Sequence, residues 1–289
     1  MQFDPHRLVA LDIPETVQRY GPQDCVLYAL GVGAGMDPID DRQLAFVDEA
    51  RLRALPTMAV VLGYTGFWVD QVPTGINAAR VLHGAQTLRV ESPLPLTGTI
   101  RRKTRIDRIV DRGAGRGALI GTVDEIRDAA DGRLLAVLGS TILCRDEGGL
   151  GGTHDIAPAA QPMPDRPPDQ SITLRSSPQQ ALIYRLSGDR NPLHSDPAFA
   201  RGAGFARPIL HGLASFGMAG MALLCALADG DPTRLRAIGM RFTNPVFPGE
   251  ALDLDYWMLA ADEVAFRLRA RDRNRIVADH GRMKLVQTS

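Results

Sequence analysis

Cysteine is scarce in this chain of 289 residues: Cys25, Cys144 and Cys225 lie scattered in apolar contexts. Their spacing matches no metal-binding pattern, which argues against a disulfide framework or a zinc site and leaves them as reduced core residues. Surplus charge is missing too. Lys and Arg total 33 against 33 for Asp and Glu, so no net basic field draws the chain to nucleic acid. No apolar run reaches the roughly 20 residues that cross a bilayer, and the first residues lack a charged start followed by an apolar signal region. Neither a membrane nor nucleic acid is therefore an expected partner, and the cytoplasm is the expected location. The final Val286-Gln-Thr-Ser289 is not a peroxisomal address. What is present is a hydrophobic share of 45%, enough for one large or two small domains with a sizeable core.

The chain repeats itself. Val26-Leu27-Tyr28-Ala-Leu30-Gly31 parallels Ile183-Tyr184-Arg-Leu186-Ser187-Gly188, and Pro93-Leu-Pro95 before Gly98 parallels Pro245-Val-Phe-Pro248-Gly249. Between the copies, residues 147–170 are rich in Gly and Pro, the composition of a linker. This predicts a first unit over 1–146, a linker over 147–170 and a second unit over 171–289. Strand-like runs with turn signals follow at 100–109, 118–127 and 134–144 in the first unit, and at 251–259, 264–271 and 275–286 in the second. From His211 to Ala228 the sequence is apolar nearly all round, with Gly212, Ala214, Gly217 and Gly220 spaced along it. It reads as a buried helix whose small residues let a sheet approach closely. The expected architecture is a sheet wrapped around one buried helix, duplicated and fused.

The residues that carry chemistry are concentrated in Tyr184-Arg-Leu-Ser187-Gly188-Asp189-Arg-Asn191-Pro192-Leu-His194 and in Arg207-Pro208-Ile-Leu-His211-Gly212. Ser177 as N-cap, Pro178 in the first turn and Gln180 completing a capping box predict a helix with Leu182, Ile183 and Leu186 on its apolar face, stopped by Gly188. Pro192 forbids a continuing helix and biases Asn191 toward an extended conformation. Asp189, Asn191 and His194 are thus expected on a bent loop where their side chains converge. Asp196-Pro197 predicts a second short helix running to Arg201. The helix start at His211-Gly212 offers free N–H groups and a positive partial charge, suited to a thioester oxygen as it becomes an oxyanion. His211 reads as orienting that helix start, and His83, taken alone, as a packed core histidine.

Taken together, these motifs resemble the hydratase-2 motif of MaoC-like (R)-specific enoyl-CoA hydratases, and the whole chain is similar to the double hot-dog hydratase unit of that family. Further matches are Tyr28-Ala-Leu-Gly-Val-Gly-Ala34, Val81-Leu-His83-Gly84-Ala85-Gln86 and Arg241-Phe-Thr-Asn-Pro-Val-Phe-Pro-Gly249. The resemblance implies an α+β fold of two fused hot-dog units, each an antiparallel sheet around a buried helix. It implies that Asp189, Asn191 and His194 hold the catalytic water, that the Gly212 N–H forms the oxyanion hole, and that the substrate is an acyl-CoA needing no metal or redox cofactor. A homodimer is expected by the same analogy. His83, Gly84 and His211 join the substrate-binding set on these matches. Arg207 either meets a CoA phosphate or is solvated. One departure is Ala85, where eukaryotic relatives usually carry Glu.

The halves are unequal. Aligning Tyr28 with Tyr184 without a gap puts Gly33, Gly35 and Pro38 where the second half has Asp189, Asn191 and His194, so only the second half can do acid–base work. Gly33 and Ala34, with the apolar run from Pro56 to Gly63, are expected to leave room for a medium, long or bulky acyl chain. The implied reaction is reversible hydration of trans-2-enoyl-CoA to (3R)-3-hydroxyacyl-CoA. The alternatives are a hot-dog thioesterase and a non-catalytic acyl-CoA-binding subunit.

Overall fold

A computed structural model describes residues 3–64, 66, 68–153 and 160–287. Its helices are α1 (Pro5–Val9), α2 (Pro22–Gly31), α3 (Asp41–Leu44), α4 (Trp68–Gln71), α5 (Gln180–Tyr184), α6 (Pro197–Gly202) and α7 (Gly212–Ala228). In the first half the strands are β1 (Thr16–Tyr20), β2 (Val81–Val90), β3 (Gly98–Asp111), β4 (Ala118–Asp128) and β5 (Leu134–Cys144). The second half supplies β6 (Gln170–Arg175), β7 (Leu235–Phe242), β8 (Ala251–Ala260), β9 (Glu263–Ala270) and β10 (Arg275–Leu285). They form one ten-stranded sheet in the order β1-β3-β4-β5-β2-β7-β10-β9-β8-β6. Read from the middle outward, the order is the same in both directions, with β2 standing to β7 as β5 to β10 and β1 to β6. The two hot-dog units are thus joined edge to edge where β2 pairs antiparallel with β7, Leu88 opposite Ile238. Joining them there covers one open edge of each unit, which an isolated sheet would have to protect.

The six strand predictions hold to within a few residues, because alternating burial along each run gives period-two patterning a core face to choose. Helix α7 is likewise where its composition places it. It is buried on most sides, with Phe216, Leu223 and Leu224 fully enclosed, and each such side chain contributes about 1.5–3 kcal/mol on leaving water. Its small residues do not all serve the sheet. A Cβ on Gly220 would meet Thr57 and Ile238 of β7, whereas one on Gly217 would collide with Val32 and lie 2.7 Å from the Tyr28 hydroxyl, at the end of α2.

The structure corrects two expectations. Among its described residues the first unit shows no helix as long as α7, its apolar run folding as one short 3-10 turn, Pro56–Val60, all of it buried. The helix predicted from Ser177 begins only at Gln180. The Gln180 side chain does reach back to the Ser177 N–H at 2.9 Å, so half of the capping box exists, but Pro178 and Gln179 form a turn. Its buried face is Gln180, Ala181 and Tyr184, while Leu182 and Leu186 are exposed. Tyr184 is drawn inward because α5 packs on α2, where a Cβ on Gly31 would sit 3.1 Å from the Tyr184 Cα. At its described ends the linker expected over 147–170, of which 154–159 lie outside the described residues, is hydrogen-bonded to β3 of the first unit and β8 of the second. The Asp111 carboxylate accepts from the Gly149 and Gly151 N–H groups at 2.8 Å, and the Trp257 indole donates to the Arg166 carbonyl at 2.8 Å.

Candidate active site

The loop that carries Asp189 and His194 begins where α5 runs into a 3-10 turn, Arg185–Ser187, and is broken at Gly188. Gly188 has φ +132, a conformation that a side chain strongly disfavours. The chain then passes Asp189 and is folded back by Asn191-Pro192. Pro192 opens a second 3-10 turn, Pro192–His194, and the Asn191 Oδ1 accepts from the Leu193 N–H at 2.9 Å to cap it. Asn191 is exposed, and its side-chain oxygen serves this local bond rather than the Asp189–His194 cluster. Residue for residue, the Asp196 cap of α6 is as expected, its carboxylate accepting from Ala198 and Phe199.

Three side chains do converge: one atom each from Asp189, His194 and His211 lies within 4.8 Å of the others. The His194 Nδ1 lies 2.9 Å from the Ile209 carbonyl, so Nδ1 carries the proton and Nε2 the lone pair. The His211 Nε2 donates to the main-chain carbonyl of Asp189 at 3.1 Å, which leaves Nδ1 as its acceptor atom, buried and without a partner. The two imidazoles stack with centroids 3.6 Å apart and planes 25° from parallel, and Tyr184 packs behind His211 at 4.9 Å. Asp and two His have the composition of a metal site.

Burial holds both histidines neutral. Desolvation pushes the His194 pKa below its usual value, against the opposing pull of the Asp189 carboxylate. His211 is pushed well below, by desolvation first and then by His194, with the Asp189 carbonyl opposing. His83 is lowered to about 4, mainly by desolvation. An unfolded chain protonates its histidines near pH 6.5, whereas these three resist protonation when folded, so the unfolded state binds more protons below that pH. Stability is therefore expected to fall as pH drops from about 6.5 toward the folded values. Thermal melts between pH 7 and 5 should show the midpoint declining, and a flat midpoint would contradict the neutral assignment.

His211 is also the residue before the first turn of α7, so the Gly212 N–H lies beside Asp189 and His194 at the helix's positive end. A Cβ on Gly212 would come within 3.1 Å of the Phe242 ring, and Phe242 in turn packs on His83 at 4.8 Å. Gly84 is the extra residue of a bulge in β2, with His83 opposite Ile142 and Ala85 opposite Thr141. The bulge sets the His83 Nε2 3.0 Å from the Ala85 carbonyl and 3.1 Å from the Ser140 hydroxyl. His83 and Gly84 from the first unit and Gly212 from the second thus share one wall across the β2–β7 seam.

The remaining sequence candidates fall outside this cluster. Arg207 is exposed, its guanidinium 5.1 Å from the Phe247 ring, which Arg273 also faces at 5.2 Å. Gly33 and Ala34 are buried in the turn that ends α2. Gly33 has φ +86, and the Gln180 amide lies 3.4 Å from where its Cβ would be, so that space is filled by protein. An open groove lined by Arg53, Pro56, Leu94, Leu96 and Thr233 lies past the other end of α7, roughly 25 Å from Gly212 at 1.5 Å per residue. Sequence reasoning missed Phe242, which the matched Arg241-Phe string contained, and the carbonyl acceptors of Ile209 and Asp189, which no side-chain pattern announces.

A double hot-dog with Asp189, His194 and His211 gathered beside a helix N-terminus falls, with its relatives, in the class of hot-dog hydratases and dehydratases. The family models for the MFE-2 hydratase 2 N-terminal domain and the MaoC like domain match residues 19–146 and 159–278 respectively. The 3-hydroxyacyl-thioester dehydratase Y of Mycobacterium tuberculosis is 39% identical, with 99% of each chain covered. The peroxisomal enoyl-CoA hydratase 2 of Arabidopsis thaliana is 35% identical over 96% of this chain and 94% of its own. Among solved structures, a MaoC-like dehydratase from Phytophthora capsici superposes with a TM-score of 0.86 at 32% identity, covering 98% and 99% of the two chains. The chain belongs to the MaoC-like hydratase 2 family.

Proposed function

We propose that this chain is an enoyl-CoA hydratase of type 2, a lyase that adds water reversibly to trans-2-enoyl-CoA and forms (3R)-3-hydroxyacyl-CoA. The observation that carries this reading is the placement of the Asp189 carboxylate and the His194 imidazole together beside the first turn of α7. No helix among the described residues is long and apolar enough to cross a membrane.

In this reading Asp189 and His194 grip one water. Its oxygen bonds to C3, the C2=C3 electron pair shifts toward the thioester, and the charge on the carbonyl oxygen is met by the Gly212 N–H. The water's proton passes to the Asp189–His194 pair, and the pair delivers a proton to C2. Two coupled groups share that duty as a unit. Delivery of both from one face makes the addition syn. Neutral His194, with Nδ1 tied to Ile209, has its Nε2 ready to accept. Arg207, exposed beside Phe247, is the candidate for a CoA phosphate, to which a guanidinium fork is suited. Assembly as a homodimer belongs to the same proposal.

The acyl chain is assigned to the first unit, where a five-residue 3-10 turn stands in place of the 17-residue α7 of the second. Each buried methylene adds at most about 0.8 kcal/mol, so kcat/KM is expected to rise up to about fourfold per carbon over the first few carbons beyond crotonyl-CoA and then level off. A native preference for crotonyl-CoA would end this assignment. The activity itself is tested by mixing the protein with crotonyl-CoA and a longer enoyl-CoA while following the enoyl absorbance and free thiol together. Loss of the conjugation band without thiol is expected. Thiol release would favour a thioesterase, and binding without change in either signal a non-catalytic acyl-CoA carrier.

A further inference from the structure

The first unit lacks an acid–base set, yet one of its segments touches the catalytic loop, and that segment is held from behind by a buried ion pair. Arg102 on β3 and Asp124 on β4 are 13% and 3% exposed, and they meet twice, Nε to Oδ1 and Nη2 to Oδ2, at 3.2 Å each. The Thr104 hydroxyl donates to the same carboxylate. On its other side the guanidinium donates through Nη1 to the carbonyls of Val60 and Leu62, at 3.3 and 3.2 Å. The chain then turns at Gly63, which has φ +69 and whose Cβ would lie 2.8 Å from the Cβ of Arg102. The Gly63 N–H donates to the Gln18 amide oxygen at 2.5 Å.

This turn delivers Tyr64 onto Gly188. The Tyr64 carbonyl oxygen and its ring Cδ1 lie 3.3 and 3.6 Å from where a Gly188 Cβ would stand. Gly188 is the residue before Asp189, and its left-handed backbone sets the direction in which Asp189 leaves α5. A buried ion pair is often no more stable than apolar residues of the same size, and in some proteins such pairs serve to specify a conformation. Here the guanidinium is committed to a carboxylate and to two carbonyls of a single turn, so what it specifies is the path of residues 60–64.

We propose that Arg102 and Asp124 are positioning residues for catalysis: by fixing residues 60–64 they press Tyr64 onto Gly188 and so hold Asp189 in place against His194. The inference rests on the Asp189–His194 reading above. It gives the half without an acid–base set a part in the reaction that acts on the rate of the chemical step.

The test uses the full chain with Arg102→Lys, Arg102→Met, Gly63→Ala and Tyr64→Ala, measuring kcat and KM for crotonyl-CoA beside circular dichroism. Lysine keeps the charge but cannot span the carboxylate and both carbonyls at once. Because loop geometry rather than substrate contact is disturbed, the folded variants should lose kcat by about tenfold or more while KM stays within about twofold. Should Arg102→Met fail to fold, Gly63→Ala and Tyr64→Ala decide, since neither removes a buried charge. Unchanged kcat in folded Arg102→Lys and Tyr64→Ala, or a rise in KM with kcat intact, would overturn the proposal. Failure of the hydratase reading is seen separately, in a wild-type protein that leaves the enoyl band unchanged.

Discussion

Asp189→Asn and His194→Ala are each expected to lower the hydration rate by on the order of 10² to 10⁴ fold, the range typical of positioned acid–base groups. Asparagine fills the same space but accepts no proton at neutral pH. Alanine at 194 removes the Nε2 lone pair together with the bond from Nδ1 to Ile209. Because both groups hold one water, the double variant should be little worse than either single one, as for residues that act as a unit. Steady-state kinetics with crotonyl-CoA reads all three. Near-wild-type turnover in both single variants would remove this site from the mechanism, and losses that multiply would show two independent roles.

The second large effect concerns the helix start. Gly212→Ala and Gly212→Pro both place a Cβ near the Phe242 ring, 3.1 Å from its nearest atom, but only proline deletes the N–H. Proline is tolerated at the first position of a helix, so α7 should form in both. The difference between the two variants therefore isolates the hydrogen bond donor. Proline should be slower than alanine by about 10² to 10³ fold in kcat, the usual loss on removing one oxyanion donor. Equal activity in the two would place the carbonyl oxygen elsewhere.

Much of this molecule could be read before folding, and the parts that could not share a cause. Strands β3, β4, β5, β8, β9 and β10 announce themselves because alternation and turn residues are local properties. Helix α7 does so because only a helix can bury so long an apolar run, and the proline after Asn191 forced the loop that carries Asp189 and His194. The failures depend on which neighbour arrives. Leu182, Ile183 and Leu186 have helical spacing, but the side of α5 that is buried is set by α2, which brings Gly31 against Tyr184. The run from Pro56 is as apolar as a helix core, yet it folds as a 3-10 turn with Val60 and Leu62 offering their carbonyls to Arg102, far away in sequence.

The site shows the same division. The bent loop that carries Asp189 and His194 and the helix start at Gly212 were legible from residue types and spacing, and the structure brings them together. For Asn191 the resemblance implied a water ligand, and in the structure its side-chain oxygen caps the turn it stands on. His211 was read as orienting the helix start. The structure gives it a second duty, fixing the Asp189 carbonyl and stacking on His194, which requires knowing that the loop folds back over α7. Gly33 and Ala34 were assigned to open space by alignment with the catalytic loop, but a glycine without a polar counterpart leaves room only if nothing else moves in. Gln180 does, its amide donating to the Gly31 carbonyl at 2.8 Å.

The central claim is that the Asp189–His194 pair adds water across the enoyl double bond. Its most direct test is isotopic: wild-type protein and Asp189→Asn, side by side, are given crotonyl-CoA in ¹⁸O- and deuterium-labelled water, and the product is analysed by mass spectrometry and NMR. The wild type should yield (3R)-3-hydroxybutyryl-CoA with ¹⁸O on C3 and deuterium on C2 added from the same face, and Asp189→Asn should yield almost none in the same time. Label in a free carboxylate, label added from opposite faces, or equal incorporation by the two proteins would contradict the account.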